Sequence, residues 1–181
     1  MLKDKWLILR FRHGSQDAFC RIFERYRADL LRLALSLLRD KSSGEDVVQD
    51  VFLHLIRVRR TFRLTGSLKA YLATCVANRA RNRNRDQRHT NSLDAEPARE
   101  VMSQDRRPDQ WAQCSEELEC LRRGLMQLPY AQREVVVLRS QGQLTFKRIA
   151  VHQDCSIKTA ESRYRYGLEK LRGLLDGQVN V

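Results

Sequence analysis

Asn78, Arg81, Asn82 and Arg85 recur at the i, i+3, i+4, i+7 spacing that gathers side chains on one face of a helix, with Arg79 and Arg83 flanking them. An amide side chain offers both a donor and an acceptor to an exposed base edge, and a guanidinium pairs with phosphate oxygens. Such a face is suited to nucleic acid; a merely solvated basic surface is the plainer alternative. The charge distribution favours the first. From Arg57 to Arg88 there are ten Lys or Arg against one acid, Asp86; from His89 to Met126 there are five against eight; from Gln127 onward there are nine against five. The formal net charge of +12 is therefore laid out as basic, acidic, basic, and basic blocks on folded domains point to a polyanion.

A second stretch, "SIKTAESRYRYGLEKLRGLL" (156–175), joins two compositions. Its front half is polar and basic, with Lys158, Thr159, Glu161, Ser162, Arg163 and Arg165; its rear half carries Leu168, Leu171, Leu174 and Leu175. A helix that inserts its slim amino-terminal end into the major groove while burying the remainder needs that division. Ile157, Ala160, Tyr164, Leu168 and Leu171 are expected to face inward, and Lys147 and Arg148 in the preceding helix are expected near phosphates. Arg163 is expected to pair with Glu134.

Catalytic chemistry is not legible. The four histidines are isolated, the five cysteines form no C-x-x-C pair, and no Gly-rich phosphate loop is present, so no enzyme activity, metal or cofactor is expected. An acidic cluster does stand out. Glu45, Asp46, Gln49 and Asp50 share one side of a helix, opposite Val48, Phe52 and Leu55. Acids at a helix start can merely complement its dipole; on a basic protein they can also meet a basic partner.

The elements that position these groups are helical almost throughout. Phe19, Ile22, Phe23, Tyr26, Leu30, Leu33 and Leu37 form one stripe. A second helix begins in "SSGED", capped by Ser42 or Ser43, with Val48, Val51, Phe52, Leu55 and Ile56 inward. A third begins near Ser67 and runs through Leu68, Tyr71, Leu72, Cys75 and Val76 into the arginines. Residues 87–109 lack periodicity, contain Pro97 and Pro108, and read as a flexible linker. Beyond it, helices are expected from Trp111 (with Cys114, Leu118, Leu121 and Leu125 on one face), from Pro129, and from the caps Thr145 and Ser156, with a turn at Asp154 and Cys155. The expected architecture is all-α: two small helical bundles, 1–88 and 111–181, joined by a linker at 89–110. The short apolar patch near the amino terminus suits neither a signal peptide nor a membrane span, which predicts a cytoplasmic protein without membrane insertion.

With those residues in view, "LPYAQREVVVLRSQGQLTFKRIAVHQDCSIKTAESRYRYGLEKLRGLL" resembles region 4 of the sigma-70 family. Leu128, Pro129, Arg133, Glu134, Leu138, Gly142, Thr145, Ile149, Ala150, Ser156, Thr159, Ser162, Arg163 and Leu171 carry the likeness. "DAFCRIFERYRADLLRLALSLLRDKSSGEDVVQDVFLHLIR" and "SLKAYLATCVANRARNRNR" resemble region 2. Two regions with no large domain between them are similar to the extracytoplasmic-function (ECF) group. The chain departs from the pattern at Asp154 (usually Gly), Gln153 (usually Leu), Ala160 (Val), Glu161 (often basic), and Tyr166 and Leu168 (often Arg), which bears on promoter preference.

The resemblance implies a sigma factor that binds core RNA polymerase, recognises −35 and −10 elements and promotes melting. It implies −10 contacts, duplex and melted single strand, from Asn78, Arg79, Arg81, Asn82, Arg83, Arg85, Tyr71 and Ser67, the last in the loop "RLTGS" (63–67) beside which flipped bases would be held. It implies −35 contacts from Lys147, Arg148, Lys158, Thr159, Glu161, Ser162, Arg163 and Arg165. Glu45, Asp46, Gln49, Asp50 and Phe52 would meet the clamp helices of the largest polymerase subunit. An anti-sigma factor is a further expected partner. The main alternative is a stand-alone helix-turn-helix regulator that footprints duplex DNA without polymerase; a helical RNA-binding or antitermination protein is a third reading. The promoter, regulon and inducing signal are not legible.

Overall fold

The computed structural model describes residues 2–91 and 112–179, with side chains over 4–87 and 118–176. Most of the expected linker, and Trp111, lie outside the described residues, as does the side chain of Cys114. Eight helices and no strand make up the described chain: α1 (Leu2–Arg12), α2 (Gln16–Leu37), α3 (Lys41–Arg57), α4 (Leu68–Asn91), α5 (Ala112–Met126), α6 (Tyr130–Ser140), α7 (Phe146–His152) and α8 (Ile157–Val179). None is long and apolar enough to cross a membrane.

In the first bundle α2 is the central helix, packed on α1, α3 and α4. Its stripe forms as the spacing requires: Ile22, Leu30, Leu33 and Leu37 are fully buried against Leu55 of α3 and Leu68 and Leu72 of α4. Phe11, Phe19, Phe23 and Phe52 join α1, α2 and α3 through ring contacts of 4.8 to 6.3 Å. The α3 cap differs from expectation. Asp40 accepts from the Ser43 amide at 2.7 Å, and Ser43 itself is buried in the first turn. The same carboxylate also takes the Ser43 hydroxyl, so Ser43 is a partner of the cap and not the cap itself. Ile56 is 41% exposed, because the buried arc of α3 runs through Val47, Val48, Val51, Phe52 and Leu55 and Ile56 falls beyond its edge.

In the second bundle α6 and α8 pack most extensively, with α7 and α5 across them. Val135, Val137, Leu138, Ile149 and Ala160 lose all contact with solvent. Leu125 is buried and Leu121 partly so, whereas Leu118 is exposed. The two bundles are not separate bodies. α6 packs on α2 and α4, and α5 packs on α2, so that one apolar core runs through both.

Candidate nucleic-acid interface

Ser67 sits where the chain turns into α4, and its hydroxyl accepts from the Ala70 amide at 3.4 Å. Tyr71, one turn on, packs its ring 4.8 Å from Phe62. Burial, reinforced by Cys75, pushes its hydroxyl from 10.0 to about 12, so it stays neutral near pH 7. Further along, Leu72, Ala73, Val76, Ala77 and Ala80 turn inward and force the intervening polar residues outward. Asn78, Asn82 and Arg85 are exposed on one face. Arg83 is also exposed and pairs across to Asp46 of α3 at 3.3 Å, while Arg85 lies 3.8 Å from Asp86. Arg79 is half-buried.

Arg81 shares the Asn78–Arg85 face but is turned toward the second bundle. One of its guanidinium nitrogens donates to Glu134 Oε2 of α6 at 2.6 Å, and the other to the His152 carbonyl at 3.1 Å. Glu134 is 1% exposed. It also meets His152 Nε2 at 3.2 Å, accepts from Gln153 Nε2 at 2.8 Å, and is reached by the Tyr130 hydroxyl at 3.3 Å. Burial alone would raise its pKa; hydrogen bonds from His152, Arg81 and Gln153 outweigh that and hold it below the ordinary value.

The second surface is built by a short turn. Thr145 caps α7 through the Arg148 amide at 3.4 Å, Asp154 takes a left-handed φ of 50°, and Ser156 caps α8 through the Thr159 amide at 3.0 Å. Asp tolerates that backbone better than most residues, so the turn closes without glycine. Phe146 and Tyr164 lock α7 to α8 edge to face at 5.4 Å. Lys158, Glu161 and Arg165 then project from one face of α8, with Ser162 beside them half-buried, and Lys147 and Arg148 are exposed on α7. Thr159 shares its hydroxyl with Ser156 at 2.8 Å.

Several expectations need correction. Arg163 does not pair with Glu134; it donates to Gln153 Oε1 at 2.8 Å, because Arg81 and His152 already occupy the carboxylate. Ile157 and Leu168 are 45% and 39% exposed. The inward row of α8 instead runs through Ala160, Gly167 and Leu171. Phe52 is 3% exposed in the aromatic cluster and offers a partner nothing. It props the face on which Glu45, Asp46, Gln49 and Asp50 are exposed. The buried network of Glu134, His152 and Gln153 went unread, although the polar Gln153 in a place usually apolar was a signal for it.

Comparison with known proteins adds the following. The profile for Sigma-70 region 2 matches residues 22–90, and that for Sigma-70, region 4 matches 118–171. The chain is 34% identical over 170 residues to the RNA polymerase sigma factor CarQ of Myxococcus xanthus, covering 92% of this chain and 94% of that one. It is 26% identical over 178 residues to the ECF RNA polymerase sigma factor SigK of Mycobacterium tuberculosis, covering 94% and 92%. Among solved structures it is similar to CnrH in complex with the cytosolic domain of CnrY, with a TM-score of 0.68, 25% identity and coverage of 96% and 97%. The sigma factor RpoE in complex with the anti-sigma factor NepR, from Bartonella quintana, shares the fold at a TM-score of 0.59, 24% identity and coverage of 86% and 97%.

Proposed function

This chain belongs to the sigma-70 family of RNA polymerase sigma factors, in the ECF group, and from that premise we propose that residues 1–88 engage core polymerase and the −10 element while 111–181 read the −35 element. The chain is a transcription initiation factor that confers promoter specificity on core polymerase. The observation that carries the division of labour is the exposed row Asn78, Asn82 and Arg85 on α4. Its amides would take the edges of bases that have left the stack, which offsets an unstacking cost of a few kcal/mol without a nucleotide cofactor. Tyr71, Ser67, Arg79 and Arg83 would line the same region.

On α8, Lys158, Glu161, Ser162 and Arg165 would face base edges and phosphates, with Lys147 and Arg148 on the flanking backbone. Arg163 and Thr159 act at one remove, by holding the turn. Glu45, Asp46, Gln49 and Asp50 would meet a basic surface of core polymerase. Two solved neighbours are complexes, one of them with the anti-sigma factor NepR, which supports a similar inhibitor for this chain. A cytoplasmic location fits all of these partners.

The test is run-off transcription on fragmented genomic DNA with core polymerase, with and without the protein, followed by sequencing of RNA 5′ ends. New starts that share two upstream elements are expected. No new starts, with a control sigma factor active on the same core, would overturn the assignment.

A further inference from the structure

Between Ile157 and Gly167, Glu161 is the only acid, set among Lys158, Arg163 and Arg165. Lys158 stands three residues before it and Arg165 four after, the spacings at which side chains on a helix surface meet. All three are exposed. Both cations are placed to pair with the carboxylate, yet among the described residues Glu161 makes no ion pair and no side-chain hydrogen bond. Arg165 lies instead over the Tyr166 ring, at 5.1 Å.

The rotation of α8 that turns Glu161 outward is fixed from the opposite side. Ala160 is fully buried, Leu171 is buried, and the Tyr164 ring is held by Phe146 at 5.4 Å. The Ser156 cap sets where the helix starts, so Glu161 opens its second turn, among the amino-terminal residues that a recognition helix offers to base edges.

We propose that Glu161 reads a cytosine in the upstream promoter element. The proposal rests on the sigma-factor reading, with α8 as the −35 surface, for the identity of the duplex. A carboxylate brought to DNA is repelled by the phosphates, so it contributes only where a donor awaits it. In the major groove those donors are cytosine N4 and adenine N6; guanine N7 and O6 and thymine O4 are acceptors that repel it. Adenine sets its N7 acceptor beside N6, whereas the cytosine amine has a C–H on that side. Cytosine is therefore the base that a lone carboxylate accepts from at least cost. Four exposed cations on the same two helices, Lys147, Arg148, Lys158 and Arg165, offset the repulsion from the backbone.

Spacing separates this contact from its neighbours. Along α8, Lys158 and Arg165 stand about 4.5 and 6 Å from Glu161, and bases are stacked about 3.4 Å apart. The three side chains thus reach different base pairs, and Glu161 governs one position. A basic residue there, as the sigma-70 pattern often has, would take guanine or a phosphate instead.

The test uses full-length protein with core polymerase. A promoter found by genomic run-off would be randomised at its upstream element over about ten base pairs, one turn of duplex. Barcoded transcripts made with wild type, Glu161→Gln or Glu161→Ala would then be sequenced. Wild type is expected to favour cytosine at one position at least fivefold over any other base. Glu161→Gln should exchange that cytosine for adenine, because a carboxamide pairs with N6 and N7 together. Glu161→Ala should accept all four bases there, with the other positions unchanged. One profile shared by all three proteins would overturn the proposal. A loss of transcript with no change of base preference would do the same, since that is what a residue serving only the helix would give. Should wild type initiate nowhere on genomic DNA, the sigma-factor reading falls on its own, and selection of random duplexes by the three full-length proteins without polymerase decides the contact. An exchange of cytosine for adenine in that selection sustains it; no exchange, or no duplex retained, sinks it as well.

Discussion

Gly167 of α8 lies so close to Val136 of α6 that a Cβ on it would stand 2.9 Å from the valine Cγ2 and 3.4 Å from the Gln132 carbonyl oxygen. Alanine improves helix propensity by about 1 kcal/mol, but here the methyl group would press on Val136 Cγ2, and a β-branched side chain has little freedom to swing aside. Overpacking of this kind costs roughly 1–3 kcal/mol. Gly167→Ala should therefore lower the thermal midpoint. Gly173, six residues on, has nothing within 4 Å of its Cβ position, and Gly173→Ala should raise it. Equal shifts in calorimetry would contradict the packing described.

Asp154 supplies the left-handed residue between α7 and α8, at φ 50°. Asp154→Gly should be neutral or gain up to about 1 kcal/mol, since glycine adopts that backbone freely. Asp154→Val should lose about 1–2 kcal/mol, because a β-branched side chain is strained there. Urea midpoints of the two variants measure the difference, and a valine variant as stable as wild type would place the turn elsewhere.

Replacement of Asn78, Asn82 and Arg85 together by Ala should block promoter opening while core polymerase still binds. All three side chains are exposed and lie outside the core, so stability should change little. Permanganate reactivity of thymines near the −10 element would report melting, and a loss of at least tenfold is expected. Undiminished reactivity would move the melting surface off α4.

Asp50→Lys should weaken association with core polymerase without changing the fold. Asp50 is exposed on α3 in a run of acids, and reversing a rim charge mainly slows association and alters its salt dependence. Association rates at two salt concentrations would show it. An unchanged rate would assign the acidic face to helix stability alone.

The Glu134 network sets a pH dependence. Its pKa is lowered from 4.5 because hydrogen bonds from His152, Arg81 and Gln153 outweigh burial. A carboxylate depressed on folding stabilises fully above its unfolded pKa, and the contribution fades as pH falls through the folded value. Asp29, lowered from 3.8 by Lys69 and Arg32 ahead of the opposing effect of burial, acts in the same direction further down. Urea midpoints should hold from neutral pH to about 5 and then fall, less steeply in Glu134→Gln. A variant as steep as wild type below pH 4.5 would remove Glu134 from that role.

What the sequence disclosed depended on how far apart the cooperating residues lie. Thr145, Asp154 and Ser156 were legible because a cap or a turn is set by neighbours three or four positions away. α1 was not read as a helix. Trp6, Leu7, Ile8 and Leu9 are consecutive, so they encircle the axis and leave no stripe; only Leu7, Ile8 and Phe11 end up buried. Ile157 and Leu168 satisfied the helical period yet are exposed, because α8 is packed at Gly167, where a missing side chain rather than an apolar one marks the contact. The ties between bundles join residues 53 and 105 positions apart, and no periodicity reports such encounters.

Arg81 and Glu134 stand on one polypeptide, so their meeting is a first-order event. The share of chains in which they touch is fixed by an internal equilibrium and does not change on dilution. Capture by a separate protein is second order and follows the abundance of both molecules. A few copies of this chain just after synthesis begins, and many copies later, would thus hold the Arg81–Glu134 pair in the same proportion. Only a molecule that competes for one side of the pair changes the balance, and the required concentration is set by the local concentration of Glu134 around Arg81.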